Sequence, residues 1–364
     1  MTGLLGSVFS LYLLYLLWEA YTVRIARRKL DHVIHVNGTR GKSTVSRLIE
    51  AGLRAGGLRV FCKTTGTDPM TIDVNGREEP IRRRGKANIK EQIDVLRRAA
   101  AQNAQVLVVE CMAITPEFQQ TSQHDILRAD IGVITNVRRD HMDVMGDTLL
   151  QIADALCHTV PRGGVLFTAE TVMTERLKAV AEKNGSRFAR AEVRGDEGTI
   201  DFPENVALAL AVCEELGVPR ETALTGMRHF SRDPYALSLY RLGKAAFIGG
   251  LSINDIQSIC MVWEKLCAEH SWQNKKLTLL INNRGDRASR TEDMLRVCTA
   301  LRPAEVWLLG ASCGYMKRGL KRKLPDAAVR ELAGGTDIAV DSLTEDQVIF
   351  AIGNIAGDGR ELME

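Results

Sequence analysis

The sequence predicts an α/β protein in three parts. A central domain with a parallel sheet and a phosphate-binding loop (P-loop) occupies residues 31–234, a smaller Rossmann-like α/β domain follows at 235–364, and an apolar helix with a basic flank fills 1–30. Three observations carry this. From His32 onward, short apolar runs alternate with helical patterns, as in parallel strands joined by crossover helices. One junction, from His32 to Ala55, runs strand, Gly-rich turn, helix. Ahead of it, Gly3 to Trp18 carries no charge at all.

Composition narrows the classes. A chain of 364 residues has room for two cores, and 45% hydrophobic with 26% charged residues is the balance of a folded enzyme, not a disordered chain. A formal charge of +3 is too small for a protein whose main partner is nucleic acid. The 8 cysteines, scattered from Cys62 to Cys313 without a Cys-x-x-Cys pair, read as reduced thiols and give neither a disulfide framework nor metal spacing.

The N-terminal run is followed by Glu19 and then by Arg24, Arg27, Arg28 and Lys29. A spanning helix needs about 20 apolar residues, so this one spans only by extending through Ala20–Val23 with Glu19 near an interface. Positive charge after the apolar run reverses the order of a cleaved signal peptide, and it would hold the rest of the chain in the cytoplasm. The expectation is an anchor in the cell membrane with the catalytic domains on its cytoplasmic side. The alternative is a helix buried against protein.

The strand His32–Val36 leads into Asn37-Gly38-Thr39-Arg40-Gly41-Lys42-Ser43-Thr44, and a helix is expected from Lys42 to Ala55. Backbone N–H groups of such a loop cradle phosphates, Lys42 reaches the β/γ-phosphates, and the Ser43 hydroxyl binds Mg²⁺. Val36 stands where the usual pattern has its first glycine, so the loop is a shortened variant. The pattern speaks for a nucleotide and says little of its use. Arg82-Arg83-Arg84 with Lys86 is either a solvated loop or a guide for an acidic substrate or product.

Two further strands end in polar clusters, where ligands gather in open α/β sheets. Val106–Val109 ends in Glu110, which is either a helix cap or, beside a phosphate loop, a Mg²⁺ ligand. Ile131–Ile134 runs into Thr135-Asn136-Val137-Arg138-Arg139-Asp140-His141-Met142-Asp143, whose Asp140, His141 and Asp143 are expected to share one site. Helices follow at Pro203–Glu215 and Arg220–Phe230, and Ser231-Arg232-Asp233-Pro234 reads as a boundary. Beyond it strands are expected near Ala245–Ile248, Leu277–Ile281, Val306–Leu309 and Val348–Ile352.

In this order the loop, Glu110 and the Asn136…Asp140-His141-Met142-Asp143 cluster resemble the Mur ligase superfamily of ATP-dependent amide ligases. Asn205, resembling that family's adenine-binding asparagine, and Gly285-Asp286-Arg287 extend the match. The apolar helix, Lys63-Thr64-Thr65-Gly66-Thr67-Asp68 and the ending Gly353-Asn354-Ile355-Ala356-Gly357 look most like the ligase subunits of membrane-bound poly-γ-glutamate (capsule) synthases. With the loop beginning near residue 37, no large nucleotide-sugar domain is expected ahead of it. Three positions depart from the family. Ala155 stands where a carbamylated lysine is expected, Gly249–Asp255 keeps only Asn254 and Asp255 of a ribose-gripping motif, and Pro203 and Glu204 replace a histidine near Asn205.

The resemblance implies that ATP sits on Gly38–Thr44 with one Mg²⁺ (or Mn²⁺) on Ser43 and Glu110 and a second on His141. Lys42 would neutralise phosphoryl charge, Asp140 and Asp143 would orient His141 or take the amine proton, and Arg287 would approach the phosphates. Glutamate and a growing γ-glutamyl chain would be substrates, membrane subunits of a synthase the partners, with a homo-oligomer left open and no nucleic acid. The rivals are a folylpolyglutamate-synthase-like soluble ligase and a nucleotide-binding structural subunit.

Overall fold

The computed structural model describes residues 2–66, 68–83, 85, 87–195, 197–233, 236–253, 255–283, 288–355 and 358–363. They form two compact units, Met1–Arg232 and Asp233–Glu364.

The first unit opens with α1 (Thr2–Arg28), β1 (His32–Asn37), α2 (Lys42–Ala55) and the strands β2 (Val60–Thr64), β3 (Met70–Ile72) and β4 (Glu78–Pro80). It continues through α3 (Glu91–Ala101), β5 (Val106–Glu110), α4 (Pro116–Gln120), a π-helical stretch at Thr121–Leu127, β6 (Ile131–Ile134), α5 (Met142–Met145) and α6 (Leu149–Leu156). Then come β7 (Val165–Thr168), α7 (Thr174–Lys183), β8 (Arg187–Arg190), α8 (Pro203–Glu215) and α9 (Arg220–Met227). The sheet order is β4-β3-β2-β5-β1-β6-β7-β8. Strands from β2 through β8 in that order pair in parallel, while β3 and β4 extend the edge antiparallel.

Burial on both faces explains the continuous apolar strands, because alternation marks only a half-buried sheet. Ile34 and Val36 face a core shared with Leu48 and Leu53 of α2, Leu210 of α8 and Leu224 of α9. Val33, Leu107 and Val109 face the other side, against Leu96 of α3, Leu127 and the last turns of α1 (Val23, Ala26). Glu19 and Thr22 still contact Lys90 and Arg97, but most of the apolar side chains before them are exposed. Leu4, Leu11 and Leu17 are 73%, 65% and 67% exposed, and Leu4–Arg28 is long and apolar enough to cross a membrane.

The second unit holds β9 (Ser238–Leu242), β10 (Ala245–Gly250), α10 (Ile256–His270), β11 (Lys276–Asn283), α11 (Ala288–Leu301), β12 (Glu305–Gly310), α12 (Cys313–Lys323), β13 (Ala328–Glu331), β14 (Gln347–Gly353) and α13 (Asp358–Met363). Its sheet order is β13-β12-β11-β14-β10-β9, parallel except for β9. All four strands expected here extend one or two residues beyond their apolar runs, because end residues such as Asn282 and Asn283 still pair in the sheet. The helix expected from Arg220 stops at Met227 instead of Phe230.

Candidate functional site

The carboxyl ends of β1, β2, β5 and β6 open onto one cleft of about 340 Å³. β1 delivers the phosphate loop. Gly38 has φ +126° and Gly41 φ +79°, backbone that L side chains rarely adopt. A Cβ on Gly38 would come 2.1 Å from Thr135 Oγ1, and one on Gly41 would come 2.8 Å from Asn205 Oδ1. These two glycines let the loop lie flat against β6 and α8.

The front of the cluster after β6 is scaffold for that loop. Thr39 N–H donates to the Asn136 carbonyl (3.0 Å), Arg40 N–H to Asn136 Oδ1 (3.1 Å), and Thr135 Oγ1 to the Arg40 carbonyl (2.6 Å). Two loop N–H groups are thereby spent. The phosphate grip falls to the first turn of α2, whose N–H groups have no partner within the helix and whose dipole favours an anion. Lys42 Nζ lies over the loop, donating to the carbonyls of Gly38 (2.8 Å) and Thr39 (3.3 Å). Asn37 is fixed from below by Gln119 Oε1 and Thr159 Oγ1.

β5 delivers Glu110, 3% exposed. Its Oε2 accepts from Ser43 Oγ (2.8 Å) and from Thr65 N–H (2.6 Å). Such a hydroxyl–carboxylate pair suits a hard divalent cation completed by phosphate oxygens. Among the described residues, no three His, Cys, Asp or Glu side chains gather as a metal cage. Ser43 and Glu110 fit one cation shared with a substrate. For a second the fit is incomplete, since His141 brings a nitrogen but Ala155 is buried in α6 with no anionic group.

Asp140 and His141 line the cleft. Asp140 Oδ2 pairs with Arg40 (2.9 Å) and lies 3.8 Å from His141 Nε2, while Oδ1 accepts the His141 N–H (2.9 Å). Asp143 is not brought to this site. It is exposed and absent from the cleft wall, which His141 and Met145 form instead. Residues two apart on a helix point to opposite sides, so a turn that aims positions 141 and 145 inward turns 143 out. Thr44 is half-buried behind the loop, outside the wall. Asn205 touches Asp201 (3.2 Å) and backs Gly41 rather than lining the cleft.

On the β2 side, Lys63 and Glu91 escaped the sequence reading as site residues, and Arg83 entered it only within the basic run, as a solvated loop or a guide for an acidic substrate or product. Lys63, wholly buried, pairs with Glu91 (3.0 Å), and Glu91 accepts from Arg83 Nε (2.7 Å) and Nη2 (3.0 Å). Burial works to raise the Glu91 carboxyl, but hydrogen bonds from Arg83 and the Lys63 charge outweigh it and hold it below its ordinary value. Arg83 lines the cleft with Thr65, Gly66 and Ala87. The basic run and the Lys63–Asp68 motif were the available signals. Arg84, Lys86 and Thr67 lie outside the described residues.

Cys111 also lines the cleft, and burial pushes its thiol up to about 11, which disfavours the thiolate. In the second unit Asp255 caps α10, its carboxylate accepting from Ser258 N–H (2.9 Å). Asn254, Pro234, Gly285, Asp286, Arg287, Ala356 and Gly357 lie outside the described residues.

Comparison with known proteins follows the two units. Residues 36–200 match the Mur ligase middle domain, and 236–364 match the poly-gamma-glutamate synthase CapB C-terminal domain. The capsule biosynthesis protein CapB of Bacillus anthracis is 32% identical over 100% of this chain and 82% of its own length. The PGA synthase CapB of Bacillus subtilis (strain 168) is 34% identical over 91% of this chain and 89% of its own. Among solved structures, Mycobacterium tuberculosis folylpolyglutamate synthase complexed with ADP and AMPPCP superposes with a TM-score of 0.69 at 15% identity, covering 95% of each chain. A bifunctional folylpolyglutamate synthase/dihydrofolate synthase with Mn, AMPPNP and L-glutamate bound gives 0.70 at 16%, covering 94% of this chain and 92% of its own. At such identities these two establish the fold alone.

Proposed function

This chain belongs to the CapB family of poly-gamma-glutamate synthases within the Mur ligases, and on that premise we propose that it extends a γ-linked glutamate chain. It is an ATP-dependent amide ligase. A glutamate γ-carboxylate oxygen attacks the γ-phosphorus of ATP, ADP leaves with the bond's electron pair, and an acyl phosphate remains. An amine then attacks the carbonyl carbon, gives up a proton, and inorganic phosphate departs.

The observation that supports this chemistry best is that Lys42, Glu110 and His141 open onto one cleft. The first turn of α2 binds phosphate oxygens, and Lys42 exchanges its loop carbonyls for the transferring phosphoryl group, offsetting charge as it moves. A divalent cation, in our reading Mg²⁺ with Mn²⁺ as substitute, would polarise the phosphoryl oxygens, with Ser43 and Glu110 as its protein ligands. Arg40 and the His141 backbone N–H hold Asp140, whose Oδ2 lies 3.8 Å from the imidazole Nε2. We read His141, on the cleft wall, as the group that orients the carboxylate or takes the amine proton.

We read residues 31–234 as the ATP-binding domain, 235–364 as its Rossmann-like companion, and α1 as a membrane anchor with the catalytic units in the cytoplasm. Membrane subunits of a synthase would be the partners. The bare apolar side chains of α1 weigh against a freely soluble folate-type ligase.

Membranes containing the full chain, given ATP, Mg²⁺ and a panel of amino acids, test the proposal by phosphate release. Glutamate-dependent release, lowered about 10²–10³-fold by Lys42→Ala, is expected. Nucleotide binding without glutamate-dependent release would mark a non-catalytic subunit instead.

A further inference from the structure

The cleft has a charged wall that phosphate chemistry does not use. β2 lies two strands from β1, about 10 Å away at the usual strand spacing. There Arg83 meets Glu91 with both carboxylate oxygens engaged, and Glu91 Oε1 also holds Lys63 Nζ at 3.0 Å. Two cations thus surround one carboxylate. The Lys63 side chain is 0% exposed, its charge disfavoured by burial and balanced by Glu91 and Glu110, so Arg83, 27% exposed, is the cation this wall offers to the cleft.

We propose that Arg83 receives the non-reacting α-carboxylate of the glutamyl substrate, with Glu91 and Lys63 as positioning residues, so that the γ-carboxyl is the one presented to ATP. The inference rests on the ligase reading above and deepens it. The chemistry of the wall fits such a guest. Glu91 occupies two of the five N–H donors of a planar guanidinium, and the remainder suit a carboxylate. Ala87, Met112 and Ile114 line the same cleft and offer apolar surface for the two methylenes between the carboxyl groups. Glutamate carries two carboxylates that ATP could equally phosphorylate. Fixing one on a cation across the cleft from the loop decides between them by position.

The test uses the full chain in membranes with ATP and Mg²⁺. Hydroxylamine serves as the amine, so that only the carboxyl donor varies, and the hydroxamate formed is measured. The donors are glutamate and its α-amide, isoglutamine, each as D and L forms. Wild type should need about tenfold to a hundredfold more isoglutamine than glutamate for half-saturation, the worth of a charge-assisted pair. Arg83→Gln should raise the glutamate requirement by that factor, leave isoglutamine nearly unchanged, and leave the ATP requirement within about twofold. Arg83→Lys, with the charge but not the fork, should fall between. These ratios do not depend on how much protein folds. Discrimination retained in Arg83→Gln, or an equal loss for ATP, would overturn the assignment while the ligase reading stands. No hydroxamate from wild type with glutamate would overturn that reading, and this inference with it.

Discussion

Ser43 and Glu110 meet at the edge of the phosphate loop, the serine hydroxyl donating to Glu110 Oε2 at 2.8 Å while Thr65 N–H donates to the same oxygen at 2.6 Å. One carboxylate oxygen thereby joins the start of α2, the end of β5 and the loop after β2. Any cation taken by this pair competes with those bonds, so binding Mg·ATP and ordering the β2 loop are linked events.

Glu110→Ala should therefore weaken Mg·ATP binding itself, by about tenfold or more, since one of few anionic ligands is lost. His141→Ala should leave ATP affinity within a few-fold and slow acyl phosphate formation, the pattern of a group that matters mainly in the transition state. Calorimetry of ATP binding beside phosphate-release kinetics distinguishes the two. Equal loss of affinity in both variants would sink the division of labour.

A second expectation compares two glycines. Gly38→Ala places a methyl 2.1 Å from Thr135 Oγ1 at φ +126°, whereas Gly57→Ala, at φ +85°, meets nothing within 4 Å. The latter should cost about 1 kcal/mol of backbone strain and leave ATP binding intact. The former must push the loop off β6, so it should abolish ATP binding as well as lower Tm. Thermal melts with and without Mg·ATP decide it, and a Gly38→Ala protein still stabilised by Mg·ATP would refute the loop geometry.

The membrane reading is tested by where α1 is cut. Residues up to Tyr21 are mostly exposed, while Val23, Ala26 and Leu30 are 6%, 6% and 4% exposed in the core beneath α3. Removing residues 1–22 should release the chain from membranes and leave the first unit folded. Removing 1–30 should also destabilise it by several kcal/mol, about 1.5–3 for each large buried side chain lost. Fractionation and melts of both truncations give the answer. A full-length chain that stays soluble when expressed alone would favour a protein partner for the bare helix.

Most of the phosphate end was legible because apolar runs and special residues coincide there. Lys42–Ala55 and Pro203–Glu215 have the bounds their patterns predict, and Glu110 sits at its strand end. Asp143 misled because adjacency in sequence hides the half-turn between 141 and 143. The hairpin strands β3 and β4 are three residues each, too short for a period-2 signal, and β4 ends in Pro80. The contact of Lys63 and Arg83 with Glu91 was hidden for another reason. Their juxtaposition joins β2, α3 and a loop, and no local spacing announces a pair between residues 28 apart.

That triad yields the last expectation. Glu91→Gln leaves Lys63 buried without its countercharge, which should cost about 3–5 kcal/mol. Lys63→Met removes the buried charge and leaves Glu91 with Arg83, so it should cost less. The double variant Lys63→Met/Glu91→Gln should then be more stable than Glu91→Gln alone, because an apolar side chain replaces the stranded ammonium. The sign with pH follows from the depressed Glu91 carboxyl. Its contribution is complete above the unfolded value of about 4.3 and is lost as pH falls through the lower folded value. Wild type should thus lose stability relative to Glu91→Gln only in acid, below the ordinary carboxylate range. Function should part from stability in the double variant, whose Arg83 has lost its charged support and should discriminate poorly between glutamate and isoglutamine however stable it is. Chemical denaturation of the three variants from neutral pH into acid, with the hydroxamate assay alongside, separates the two roles. A double variant no more stable than Glu91→Gln would show that Lys63 finds another partner when Glu91 is gone.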